Sequence, residues 1–177
     1  MKKKLIALLL GGTMALSMMA CSQKKETEAV TANVDTISKA STEFYYQQSS
    51  WDEAKVKEIL KNNASKAAAV VVSTTNEDGT PNAATIIPGL VNDNTLVFNI
   101  ATEGNTKKNM LERQIAVLTL FAHNPEAEDK ALRNQGARVL LKTVTDENKI
   151  NELVKEAQLK DASTAVFMEI VEVLPLG

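Results

Sequence analysis

From about residue 50 onward the chain switches between two spacings of apolar side chains. One is every third or fourth residue, as on a half-buried helix; the other is strict alternation or a short unbroken run, as in a strand. Ser50 with Glu53 three residues on predicts a capped helix start, and Trp51, Val56, Ile59 and Leu60 follow at helical spacing. The β-branched run Ala67 to Thr74 predicts a first strand. It is closed by NEDGT, whose Asp78-Gly79 pair is a strong turn signal. Pro81 to Ile87 reads as the returning strand, Val91 to Thr95 as a second turn and Leu96 to Ala101 as a third strand, together an antiparallel meander. Thr106 then predicts a helix cap, with Met110 and Leu111 on one face and an end near Arg113. Strand four is Ile115 to Phe121 and strand five Ala137 to Val144, separated by a polar loop, Ala122 to Gln135, that carries the Asn124-Pro125 break. A helix from about Asp146 to Leu159 shows a stripe of Ile150, Leu153, Val154 and Ala157, and Ala165 to Val173 closes the chain as strand six. Six mostly antiparallel strands with short helices between them predict a mainly β (β+α) fold, a small barrel rather than a wound parallel sheet.

Upstream of residue 50 the pattern is different. Residues 1–21, MKKKLIALLLGGTMALSMMAC, place three lysines before an apolar run from Leu5 to Ala20, and the only cysteine follows. That run is shorter than the roughly 20 residues a membrane span needs, and its layout is that of an export signal. The segment resembles a bacterial lipoprotein signal, in which cleavage precedes a cysteine that becomes the lipidated first residue. The resemblance makes residues 1–20 a signal peptide and Cys21 the lipidation site, giving an extracytoplasmic, membrane-anchored lipoprotein. Met18 stands where such signals more often carry Leu. Residues 21–49 are small and polar, without Gly or Pro, and read as a tether before a domain spanning 50–177. Val34, Ile37 and the Phe44, Tyr45, Tyr46 cluster are candidates to dock on that domain.

Composition removes several kinds of chemistry. One Cys forbids a disulfide within the chain, and one His with no Cys cluster leaves no usual zinc-ligand set. A nucleophilic triad would rest on His123, beside Asn124 and Pro125 in a surface loop. The chain has 20 basic and 22 acidic side chains; losing the three leader lysines leaves 17 against 22, a net charge of -5. An anionic surface does not bind anionic lipid by charge, so the lipid itself would supply the anchoring. With only 4% aromatic residues and no basic stripe, nucleic acid is not an expected partner.

The segment with chemical promise is GNTKKN, Gly104 to Asn109, at a predicted strand-to-helix junction. A helix start presents free backbone N–H groups and the positive end of its dipole, and Lys107 and Lys108 add charge. That combination suits a phosphate monoester. No Walker loop or dinucleotide fingerprint accompanies it.

The order of elements carries a resemblance. The strand, DG turn and TPNAATIIPG unit, the NDNTLVFNIA strand and the NTKKNMLE helix start are followed by an apolar strand, then by GARVLLKTV, a helix and AVFMEIVEV. Over about residues 64 to 173 this set is similar to the FMN-binding split-barrel family, which includes pyridoxamine 5'-phosphate oxidases and small FMN-binding proteins of anaerobes. The resemblance implies a six-stranded antiparallel split barrel, a homodimer, and FMN held non-covalently in a crevice between subunits. It places the flavin phosphate on Asn105, Thr106, Lys107, Lys108 and Asn109. The ring would lie beside Ala84, Thr85, Ile86 and Ile87 and beside the third strand's end, Asn99, Ala101 and Thr102, with Thr85 and Asn99 as orienting groups.

Two departures bear on activity. The stretch AATIIPG lacks the Arg and Lys with which pyridoxamine phosphate oxidases grip phosphate, and the final EVLPLG has neither a basic residue nor a His. The expectation is therefore a flavoprotein of the smaller FMN-binding kind, an FMN-dependent oxidoreductase or electron carrier. Its electrons would come from a reduced nicotinamide, a quinol or a redox partner. Arg138 has two readings, a place in the flavin crevice or a solvated one beside a carboxylate. A second reading of the whole also stands open: a non-catalytic lipoprotein whose barrel holds heme or deazaflavin, or has lost its ligand.

Overall fold

The computed structural model describes residues 49–67, 69–101 and 103–176. The predicted leader, Cys21, the tether as far as residue 48 with its Phe44 to Tyr46 cluster, and Thr102 lie outside the described residues; Ser49, expected to end the tether, is buried and bonded to the domain. Helix α1 (Glu53–Lys61) leads into β1 (Ala69–Thr75), β2 (Pro81–Ala84), β3 (Gly89–Asn92) and β4 (Thr95–Asn99). Helix α2 (Asn105–Arg113), β5 (Ile115–His123), a 3-10 turn (Lys130–Leu132), β6 (Asn134–Thr143), α3 (Glu147–Glu156) and β7 (Ala165–Leu174) follow. The strands form one antiparallel sheet of seven, ordered β2-β1-β5-β6-β7-β4-β3.

The expected count of six is corrected to seven, and the three-strand meander does not form. Pro81 to Ile87 is strand only as far as Ala84; after Pro88 the chain starts a separate strand, β3, in the stretch expected to open the second turn. β2 pairs with β1 while β3 pairs with β4, on opposite edges of the sheet. Only Thr85 to Pro88 join those edges. Five residue steps reach at most roughly 18 Å, whereas the outer strands of a flat seven-stranded sheet stand roughly 29 Å apart. The sheet must therefore curl until its edges face one another, an open, split-barrel-like arrangement.

The inward rows of the curled sheet (Val70 and Val72, Leu96 and Phe98, Leu118 and Leu120, Val139 and Leu141, Val166 and Met168) form one core with Val56, Ile59 and Leu60 of α1 and Met110 of α2. β4 is buried on both faces because Val97 joins Phe167, Val144 and Leu153 of α3 in a second cluster. The caps differ from expectation at two of the three helices. Asp52, not Ser50, caps α1, its Oδ1 accepting from the Lys55 N–H at 2.8 Å, and Asp146 caps α3 in the same way. Ser50 instead forms a parallel bridge with Gly136, and its Oγ accepts from the Leu176 N–H. α2 takes Gly104 as its N-cap, with no side-chain bond, so Thr106 lies inside the first turn and does not cap. Among the described residues no helix is long and apolar enough to cross a membrane.

Candidate functional site

α2 is fixed at both ends. Its C-terminal turn ends on Gln114 in the left-handed region; the Gln114 carbonyl accepts from the Thr143 N–H, and Thr143 Oγ1 donates to the Met110 carbonyl at 2.6 Å. Its first turn is held by side chains of the β1–β2 hairpin. Asn82 Nδ2 donates to Thr106 Oγ1 at 2.9 Å and to Thr74 Oγ1 at 3.0 Å. Asn109 Nδ2 donates to the same Thr74 oxygen at 3.0 Å and to Asn76 Oδ1 at 2.9 Å. Asn109 and Thr74 are buried. A buried polar network with its partners in place holds one geometry, because loosening it strands amides and hydroxyls away from water.

Sequence reasoning missed Thr74, Asn76 and Asn82. A signal existed: Val70, Val72 and Thr74 form one inward row, and the partner opposite Thr74 is Asn82. Two facing polar residues where an apolar row should continue mark the point at which the sheet leaves its core and meets something polar.

That something is the N-terminus of α2. Lys108 N–H donates to the Gly104 carbonyl as the first helical bond, leaving the Asn105, Thr106 and Lys107 amides without a capping side chain. Of these three residues Asn105 lines an open cavity of about 420 Å³, together with Asn76, Glu77, Asp78, Lys108 and Asn109. The two lysines part company here, since successive helical residues point about 100° apart. Lys108 stands on the cavity rim, its Nζ 3.3 Å from Glu77 and 4.0 Å from Glu112. Lys107 is buried and turned away: its Nζ binds Glu103 and donates to the Ser163 carbonyl at 3.2 Å. Its expected role as a phosphate-binding cation is corrected on that geometry; its backbone N–H stays with the uncapped turn. The rim also carries Asp78, whose carboxyl lies below its ordinary value because the Thr80 hydroxyl and N–H both donate to it. Gly79 sits at φ +84°, the left-handed conformation this turn needs.

The Lys107 clamp reaches a loop that is itself braced. Asp161 accepts from the Ser163 N–H at 2.8 Å and from the Ser163 hydroxyl at 2.9 Å, and those bonds hold its carboxyl below the usual 3.8. A lowered carboxyl contributes stability above the unfolded value that is lost as pH falls through the folded one. Asp161→Asn is expected to lower the urea midpoint at neutral pH, with the gap to the parent closing as pH drops below 3.8. A gap of the same size at both pH values would show that the charge contributes nothing.

The other expected residues divide. Ala84 ends β2, and the connection after it carries an exposed Thr85, a half-buried Ile86 and an Ile87 that is 59% exposed although large and apolar. Asn99 and Ala101 are exposed at and beyond the end of β4; Gly89 pairs with Val97, a register that leads Ile87 toward the Asn99 end of that strand. Arg138 donates through Nε to the Pro175 carbonyl at 2.7 Å. His123 is the last residue of β5 and not part of a loop; it is exposed, with Nδ1 2.7 Å from Asn134 Oδ1.

No protein-family model and no curated protein matches the chain. Among solved structures it is similar to an FMN-binding protein from Syntrophomonas wolfei subsp. wolfei, at 15% identity and a TM-score of 0.50 over 71% of this chain and 88% of that one. It is also similar to a HupZ variant from Group A Streptococcus, at 22% identity and a TM-score of 0.49 over 69% of this chain and 97% of that one. An FAD binding protein from Mycobacterium smegmatis follows at 19% identity and 0.46, over 71% and 93%. The first likeness shows a shared fold, a mainly β, split-barrel-like sheet.

Proposed function

We propose that this protein is an extracytoplasmic, lipid-anchored flavoprotein that holds FMN non-covalently, works as a homodimer and acts as an oxidoreductase or electron carrier. The observation that carries the reading is the uncapped first turn of α2, locked by Asn82 and Asn109 beside an open cavity with Lys108 on its rim. The fold supports it, since the solved structure that shares it is that of an FMN-binding protein. The residues fit the group at its phosphate end, where donors outnumber what the chain itself uses. The exposed Ile87 and half-buried Ile86 offer an apolar wall for a ring. FMN, when bound, supplies hydride or single-electron transfer at its ring. The chain's own residues bind and orient: the Asn105, Thr106 and Lys107 amides and Lys108 take the phosphate, and Thr85 and Asn99 direct the ring.

Dimerisation has its own support. Ser73, Val117 and Leu140 stand opposite one another on one half-exposed face of β1, β5 and β6, and with Ile115 they line a shallow cavity of about 240 Å³. The N-terminal signal and Cys21 support the anchor.

The test is direct. The chain from Cys21 onward is expected to purify yellow, to release FMN on denaturation and to sediment as a dimer. Lys108→Ala is expected to weaken FMN binding about 1.5- to fivefold, the range for an exposed charge contact. A colourless protein that ignores added FMN would refute the flavin reading, and a Soret band would put heme in its place.

A further inference from the structure

We infer that Glu77 sets the phosphate preference of this notch by competing with the ligand for Lys108. The inference rests on the flavin-phosphate reading and deepens it. With Lys107 committed to Glu103 and the Ser163 carbonyl, Lys108 is the one ammonium among the residues lining the cavity. Two carboxylates share that lining, Glu77 and Asp78.

They are not equivalent. Asp78 is spent on the turn, accepting from the Thr80 N–H at 3.0 Å and the Thr80 hydroxyl at 2.6 Å. Glu77 is 78% exposed, and its Oε2 accepts from Lys108 Nζ at 3.3 Å across the cavity. A phosphate seated on the α2 amides must either share Lys108 with that carboxylate or displace it, and it meets the negative charge in both cases. The pair is a surface ion pair, so breaking it costs little, and the carboxylate left beside a dianion repels it, more weakly as salt rises. Glu77 thus lowers affinity for a phosphorylated ligand and is indifferent to the same ligand without its phosphate. A flavin distinguishes the two effects, because riboflavin has the ring of FMN and no phosphate.

The experiment titrates FMN and riboflavin separately into the chain from Cys21 onward, stripped of bound flavin, following flavin fluorescence for the parent, Glu77→Gln, Lys108→Met and the double variant. Glu77→Gln is expected to tighten FMN about 1.5- to fivefold, the scale of one exposed charge interaction, with riboflavin affinity unchanged. In the Lys108→Met background the gain should shrink, since the competition acts through that ammonium. FMN affinity that stays level or falls in Glu77→Gln, or riboflavin that tightens in step with FMN, would overturn the inference while leaving flavin binding intact. A parent and a Glu77→Gln variant that both ignore FMN would remove the flavin reading and this inference with it.

Discussion

Gly136→Ala is expected to cost at least about 3 kcal/mol of unfolding free energy, the largest loss expected from an added methyl group at the described glycines. A Cβ there would lie 2.2 Å from the Leu120 carbonyl oxygen, 3.2 Å from Phe121 Cα and 2.9 Å from Leu176 Cδ1. The leucine side chain can swing aside. The other two atoms belong to the backbone of β5, paired with β6 along this stretch, and cannot. Relief therefore requires the two strands to part at Gly136, which also carries the bonds that seat the start of the domain. Trp51 N–H donates to the Gly136 carbonyl at 2.8 Å and Gly136 N–H donates to the Ser49 carbonyl at 3.0 Å. Parting the strands releases Trp51 from the core as well. The urea midpoint of the variant measures the loss, and Gly104→Ala is the control, since a Cβ there meets nothing within 4 Å. A Gly136→Ala midpoint matching the parent would contradict the close approach of β5 and β6.

Gly104→Asp should produce opposite changes in stability and binding. Gly104 already has extended backbone, φ -127° and ψ 173°, the conformation of a helix N-cap, and open space where a side chain would start. Asp52 and Asp146 show what a carboxylate does in that position at the other two helices. An aspartate at 104 would accept from the first-turn amides and add charge favourable to the helix dipole, raising stability by about 0.5–1 kcal/mol. The same carboxylate would occupy the donors assigned to the phosphate and repel it, so FMN affinity is expected to fall by about tenfold or more. Gly104→Asn separates the two contributions, capping without charge. Thermal midpoint and flavin titration on the same samples decide the matter. A stabler variant with undiminished FMN affinity would show that the phosphate lies elsewhere.

Why the sequence reveals some of this and conceals the rest follows from the range of each interaction. β1, β4 and the two long helices declare themselves through local periodicity, and Asp78-Gly79 declares its turn through the conformation only glycine adopts easily. β3 was concealed because Gly89 to Asn92 is four residues long, follows a proline and has no buried face of its own to impose a pattern. The meander was concealed because nothing local records that β2 and β3 part to opposite edges; Thr85 to Pro88 read equally well as strand. GNTKKN marks the start of α2, but Thr106 reads as its cap because the backbone angle that makes Gly104 the cap is not written in composition. Two adjacent lysines looked equivalent, although the helical turn between them sends one to the rim and the other into a buried ion pair. Glu77, the acid paired with Lys108, lies 31 positions from it and is brought to it only by the hairpin.

The place where the described chain begins also governs which end of the molecule a visitor meets. Ser49 and Ser50 are fastened at Gly136, on the rung of the sheet that runs through Phe121 and Ala69. The uncapped turn of α2 meets β1 at its other extremity, at Thr74 and Asn76, roughly 20 Å further along the strand. Ser49 and the notch therefore lie at opposite ends of one strand, and a probe attached at Ser49 would leave the opening unobstructed.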